Sequence, residues 1–135
     1  MPKLPVVRDH MDRHVASLRP EIDILDAVAF LLENHITGAP VVDKSGRLVG
    51  ILTEKDCLRL VAAGVQGDLP RGSVANFMTP NPETIPPDMD VYFAAGLFLT
   101  RDFRRFPVVE DGKLVGAITR FDILRAVRAN LAMAG

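Results

Sequence analysis

The sequence predicts a mixed α/β (α+β) fold made of one structural unit written twice, and three observations lead there. A long motif recurs. Ala39-Pro40-Val41-Val42-Asp43, a turn, then Leu48-Val49-Gly50-Ile51-Leu52-Thr53-Glu54-Lys55-Asp56 returns as Phe106-Pro107-Val108-Val109-Glu110, a shorter turn, then Leu114-Val115-Gly116-Ala117-Ile118-Thr119-Arg120-Phe121-Asp122. Within each copy the apolar residues change from helical spacing to short continuous runs and back, the alternation of helices and small sheets. Hydrophobic residues make up 48% of the 135, enough for a real core and too many for a disordered chain.

The copies align at an offset of 67 before the turn and 66 after it, so the lost residue falls in the turn, where a deletion costs least. Upstream, Met11 matches Met78, Asp23 matches Asp90 and Ala27 matches Ala94. Asp23 is placed as an N-cap, and Ile24, Leu25, Val28, Leu31 and Leu32 recur at helical spacing up to about His35. Ala39–Val42 reads as a short strand, Asp43–Gly46 as a turn and Arg47–Leu52 as a second strand. So short a connection pairs the two as an antiparallel hairpin. Thr53 stands where the next helix should start, with Asp56 at the N3 position, a capping-box spacing with Asp in place of Glu or Gln. That helix runs through Leu58, Leu60 and Val61 and stops near Gly64. The second copy repeats the order: a helix near Val91–Arg101, strands near Phe106–Val109 and Lys113–Ile118, and a helix near Arg120–Leu131. The stretch Gly64–Gly72 between the copies reads as the linker. A copy of about sixty residues is marginal alone, and two copies packed sheet against sheet would bury the apolar faces of both.

Charge and cysteine content narrow the function classes. The net charge is -1, so nothing draws the chain as a whole to nucleic acid or an anionic membrane. Residues 101–135 nevertheless hold seven Lys/Arg against four Asp/Glu, while residues 1–100 hold nine against thirteen. An anion is best tolerated in the last third. Cys57 is the only cysteine, which excludes an internal disulfide and fits a reducing compartment. The start, Met1-Pro2-Lys3-Leu4-Pro5, lacks the pattern of a signal peptide, and no apolar run reaches the ~18 residues of a membrane span. A cytoplasmic chain without membrane insertion is expected.

The pattern Pro-Val-Val-Asp, turn, Leu-Val-Gly-Ile-Leu-Thr-x-x-Asp, preceded by a helix and by Val7-Arg8-Asp9-His10-Met11, resembles the cystathionine β-synthase (CBS) domain. The second copy, opening Val74-Ala75-Asn76-Phe77-Met78-Thr79-Pro80, does the same. Two in tandem resemble a Bateman module, expected here without an attached effector domain. The resemblance spans roughly residues 6–130 and implies β-α-β-β-α units at 6–64 and 74–131, joined by a linker at 65–73 and related by a pseudo-twofold axis. It also implies a homodimer, and a cleft between units that binds AMP, ADP, ATP or S-adenosylmethionine. No cofactor is required. The implied role is regulation of a partner protein that the sequence does not identify.

Such a ligand makes three demands. Its ribose diol needs a carboxylate acceptor, its base an apolar slot with backbone hydrogen bonds, and its phosphates cations or helix N-terminal amides. Asp56 and Asp122, with Thr53 and Thr119 three residues before them, stand at strand-to-helix junctions. Taken alone they serve equally well as helix caps; the resemblance assigns them to ribose and phosphate. For the base it points to a first short strand of each copy, Val15-Ala16-Ser17 and Pro82-Glu83-Thr84, and to the hairpin starts Ala39-Pro40 and Phe106-Pro107. The apolar members serve as ordinary core in the alternative reading. For phosphates the second copy offers Arg104, Arg105 and Arg120, where the first has Thr37, Gly38, Glu54 and Lys55. These arginines read otherwise as a solvated or salt-bridged face with Asp102 and Asp122. Two unequal sites are expected, the second better suited to a phosphorylated ligand.

Other chemistry finds little support. His10, His14 and His35 are scattered without metal-ligand spacing, and Cys57 near a helix start reads as a packed small side chain. No nucleophile–base constellation and no phosphate-binding glycine loop is present, so an enzyme is not expected. With one Tyr and no Trp, single-stranded nucleic acid is not an expected partner either. The apolar helix with Tyr92, Phe93, Leu97 and Phe98 reads as core and dimer face. The competing function is a structural dimerisation or adaptor module with no bound nucleotide.

Overall fold

The structure, a computed structural model, describes residues 4–64, 67–69, 71–101 and 103–134. Met1, Pro2, Lys3, Val65, Gln66 and Pro70 of the expected N-terminal and linker stretches lie outside the described residues, as does Asp102. Each copy folds through the same steps. Helix α1 (Ile24–Glu33) starts at Asp23, whose carboxylate accepts from the Leu25 amide at 3.0 Å. Strands β1 (Gly38–Val42) and β2 (Leu48–Thr53) form the first hairpin, and helix α2 (Glu54–Ala63) follows without a gap. Beyond the linker come a four-residue helix α3 (Val74–Phe77) and a two-residue strand β3 (Thr79–Pro80). Helix α4 (Val91–Thr100) is capped by Asp90, the match of Asp23. Strands β4 (Arg105–Glu110) and β5 (Lys113–Thr119) form the second hairpin, and helix α5 (Arg120–Ala134) ends the order.

The deletion between the copies lies in the hairpin turns. In the first turn Asp43 Oδ1 accepts from the Ser45 amide, the Ser45 hydroxyl and the Arg47 amide at 2.9, 2.7 and 3.0 Å. The second turns on Asp111 and Gly112 alone, both at positive φ (54° and 80°), the geometry that suits a two-residue connection.

The expected first strands, Val15–Ser17 and Pro82–Thr84, are not strands. Each is replaced by a single parallel bridge one residue further on, Leu18 with Val41 and Ile85 with Val108. Prolines explain why. Pro20 follows Leu18 closely and Pro86-Pro87 follows Ile85 directly, and a residue without an N–H cannot extend a ladder.

The chain forms two compact units, and they are not the two repeats. Ala16–Pro82 forms one; the described residues up to Val15 join those from Glu83 onward in the other. The copies have exchanged their opening segments. β3 pairs with β2, Thr79 opposite Ile51. At the matching place in the other unit, Asp12 bridges Ala117, with both backbone hydrogen bonds at 2.9 Å. Val7 and Arg8 in a short 3-10 turn (Val7–Asp9) donate their amides to Met89 and Pro87 of the same unit. Gly50 and Gly116 make room for these crossings. A Cβ on Gly50 would stand 3.0 Å from the Thr79 carbonyl oxygen, and one on Gly116 2.7 Å from that of Asp12.

Each unit has its own core, and the cores correspond. Leu18, Ile24, Ala27, Leu31, Ala39, Val41, Leu52, Leu60 and Val74 are buried in one. Ile85, Val91, Ala94, Phe98, Phe106, Val108, Ile118, Ala126 and Val7 occupy the matching places in the other. The largest change is Ala39 to Phe106, whose ring meets Phe98 and Phe103 edge-on at 4.8 and 5.2 Å. Among the described residues, no helix is long and apolar enough to cross a membrane.

Candidate functional site

Both Thr-x-x-Asp motifs sit where a hairpin strand turns into a helix. In the first, the Thr53 amide donates to Asp56 Oδ2 at 2.9 Å and the Asp56 amide to Thr53 Oγ1 at 3.3 Å. In the second, the Thr119 amide donates to Asp122 Oδ2 at 2.8 Å and the Asp122 amide to Thr119 Oγ1 at 3.2 Å. Both are reciprocal capping boxes, each satisfying two amides the helix start would leave unpaired.

Beyond the cap the two carboxylates differ. Asp56 also accepts from the Thr53 hydroxyl at 3.0 Å, from Arg59 Nη1 at 3.0 Å and from the Thr79 hydroxyl at 3.2 Å. Its side chain is 3% exposed. Among the described residues, Asp122 accepts from the Thr119 amide and from Arg125 Nη2 and from no other donor, and its side chain is 12% exposed. A carboxylate offers about four acceptor positions. Asp56 has filled its own within the protein, whereas Asp122 retains two.

The remaining expected residues fall around these junctions. Gly38 pairs opposite Thr53 at the end of the first hairpin, and Arg105 pairs opposite Thr119 at the end of the second. Ala39, Pro40, Phe106 and Pro107 are buried just beyond. The Leu18 amide donates to the Pro40 carbonyl at 2.9 Å and the Ile85 amide to that of Pro107 at 3.1 Å, so Ser17 and Thr84 run directly into these bridges. Ala16 and Ser17 belong to the first hairpin's unit, and Glu83 and Thr84 to the second's; Val15 and Pro82 are the boundary residues of the opposite units. Glu83 is held by Arg101 Nε at 2.9 Å, a pairing that sequence reasoning missed.

Among the described residues, Arg104, Arg105 and Arg120 enter no ion pair, and the partner of Asp122 is Arg125. Arg104 and Arg120 are exposed and Arg105 half-buried; Arg120 Nη2 donates to the Phe103 carbonyl at 3.2 Å. Lys55 is exposed. An apolar groove of about 640 Å³ opens between α4 and α5, walled by Phe98, Leu99, Ile123 and Leu124 with Arg101 and Arg120 beside them. Thr119 and Asp122 do not line it. Burial pushes the Cys57 thiol up, and the neighbouring Asp56 charge adds to this. The described residues contain no cluster of three or more His, Cys, Asp or Glu placed to hold a metal.

The family model of the CBS domain matches residues 7–63 and 74–129. The A-adding tRNA nucleotidyltransferase of Aquifex aeolicus is 36% identical over 93% of this chain, which spans only 15% of that enzyme's length. The CBSX2 protein of Arabidopsis thaliana, solved in complex with AMP, superposes with a TM-score of 0.78. It is 33% identical, over 97% of this chain and 99% of its own. The CBS domain pair of protein MJ0100, solved with 5-methylthioadenosine and S-adenosyl-L-methionine, has a TM-score of 0.75 at 27% identity, covering 95% and 99% of the two chains.

Proposed function

The chain belongs to the CBS domain family as a tandem pair, and from that premise we propose that it is a regulatory module that binds an adenosine compound and modulates a partner protein. The ligand is AMP, ADP, ATP or S-adenosylmethionine, the class that CBSX2 and MJ0100 were solved with. The observation that carries the reading is Asp122. Its carboxylate keeps two acceptor positions, the number a ribose diol uses. Arg104, Arg105 and Arg120, which enter no ion pair among the described residues, stand near the same hairpin-to-helix junction and suit phosphate oxygens. Ligand binding would then change how the module meets its partner, with coupling of about 1–3 kcal/mol, as is usual for such switches. Regulation rather than catalysis is the reading we propose for it.

Calorimetric titration with AMP, ADP, ATP and S-adenosylmethionine tests this. Saturable binding of at least one is the expected result, weakened more by Asp122→Ala than by Asp56→Ala. Failure of all four to bind at millimolar concentration removes the proposal.

An adaptor that dimerises and binds nothing is the second reading. The observation favouring it is the exposed apolar side chains on α4 and α5: Phe93 is 61% exposed, Leu99 88%, Phe121 71% and Leu124 62%. It predicts a homodimer whose melting temperature ignores nucleotides.

A further inference from the structure

We infer that the chain has one nucleotide site, not two, and that Thr79 is the residue that closes the other. The closed carboxylate is Asp56. Its four donors are the Thr53 amide, the Thr53 hydroxyl, Arg59 and the Thr79 hydroxyl, and its side chain is buried. Three of these donors come from its own strand-to-helix junction. The fourth comes from β3, beyond the linker, and Thr79 is aimed there by the pairing that sets it opposite Ile51. A ribose hydroxyl entering this place must displace one of four donors from a carboxylate whose own side chain is 3% exposed.

The open unit has a different residue in the same place. Asp12 bridges Ala117 in the register in which Thr79 pairs with Ile51. Asp12 Oδ1 is already taken by the His14 amide, and an ionised carboxylate has no proton to donate. So where one unit supplies its motif aspartate with a fourth donor, the other supplies an acceptor only. Asp122 is left with open positions. The exchange of opening segments is what makes the choice. Site occupancy is set by residues from outside the hairpin and helix that carry the Thr-x-x-Asp motif. The inference rests on the nucleotide reading for the identity of the ligand, and on the hydrogen bonds of Asp56 and Asp122 for the lock.

The experiment compares three variants with the native protein using AMP as the probe, and two more by melting temperature without ligand. Native protein is expected to take up one AMP per chain. Asp12→Thr hands Asp122 a hydroxyl donor and is expected to weaken AMP by about tenfold or more, whereas Asp12→Ala leaves the position without a donor and binds as native does. Thr79→Val removes the donor without changing the side-chain outline and is expected to add a second, weaker AMP. Two equal AMP sites in the native protein, or equal effects of Asp12→Thr and Asp12→Ala, overturn the inference while leaving the nucleotide reading intact. A ligand-free arm separates the two failures. Asp56→Asn, which disturbs a filled and buried acceptor set, is expected to lower the melting temperature at least twice as far as Asp122→Asn. If AMP does not bind, the nucleotide reading is decided by the other three ligands and this arm decides the lock: equal shifts overturn it, and a larger Asp56 shift sustains it.

Discussion

Arg8 Nη2 donates to Glu110 Oε2 at 2.6 Å, joining two residues 102 positions apart in the chain, and to Asp88 at 3.2 Å. These two partners hold the guanidinium firmly in its charged form, Glu110 contributing most. The position that matches Arg8 in the other copy is Ala75, so this clamp belongs to one unit only. The covalent linker leads directly into α3 and β3, whereas residues 6–12 reach their hairpin from the opposite end of the chain. Arg8→Ala is expected to speed hydrogen exchange at the Val7 and Asp12 amides, which donate to Met89 and Ala117, and to leave that at Leu18 and Val42 unchanged. Uniform acceleration in both units would show that the clamp is not local.

Gly116 tests the crossing from the other side. A methyl group there meets the Asp12 carbonyl oxygen at 2.7 Å, and backbone cannot step aside as a side chain can. Gly116→Ala is expected to destabilise by about 1–3 kcal/mol in denaturant unfolding. Gly50→Ala, where the nearest backbone oxygen is 3.0 Å away, is expected to fall at the lower end of that span.

Phe106 is wholly buried against Phe98 and Phe103, where the other unit has Ala39. Phe106→Ala is expected to cost about 3–5 kcal/mol by chemical denaturation. Ala39→Phe overfills the smaller core and is expected to destabilise as well. A stabilised Ala39→Phe protein would mean that the first core is underpacked.

The first hairpin turn is expected to loosen in acid. The Ser45 hydroxyl, then the Arg47 amide, hold the Asp43 carboxyl below its ordinary value of 3.8. A group depressed in the folded state contributes stability that is present above its unfolded value and is lost as pH falls through the folded one. The loss therefore begins near pH 4 and completes below it. Amide shifts of Ser45 and Arg47 followed by NMR from pH 6 to 2 report it. In Asp43→Ala those shifts should be flat over the same span.

Much of the fold was readable in the sequence because its determinants are local or periodic. Asp23 and Asp90 cap their helices, Thr53 and Thr119 form the expected boxes, and the deletion falls in the turn, all from neighbouring residues. The buried residues of the two cores repeat at the offset of the motif. The exchanged opening segments were not readable. Val7 and Val74 are equally apolar and equally able to fill either core, so composition does not say which takes which. For the same reason the bond from Thr79 to Asp56, across 23 positions, was invisible, and with it the difference between the two carboxylates. The misplaced first strands have a simpler cause: the resemblance, not the residue types, put them there, and the prolines just beyond stop the ladder at one bridge.

The exchange has a consequence for the order in which the protein can be built. Ala16–Pro82 is one unbroken stretch, so it leaves the ribosome as a complete unit and can close while the rest is still being made. The other unit cannot. Its opening residues are synthesised early, and the partners of the Val7 and Asp12 amides, Met89 and Ala117, arrive late. Between those two events the chain carries a segment ready to pair with a hairpin that does not yet exist. When two chains are made side by side, the waiting segment of one fits the finished hairpin of the other through the same contacts. Polysome crowding is therefore the condition under which intertwined dimers of this protein should form.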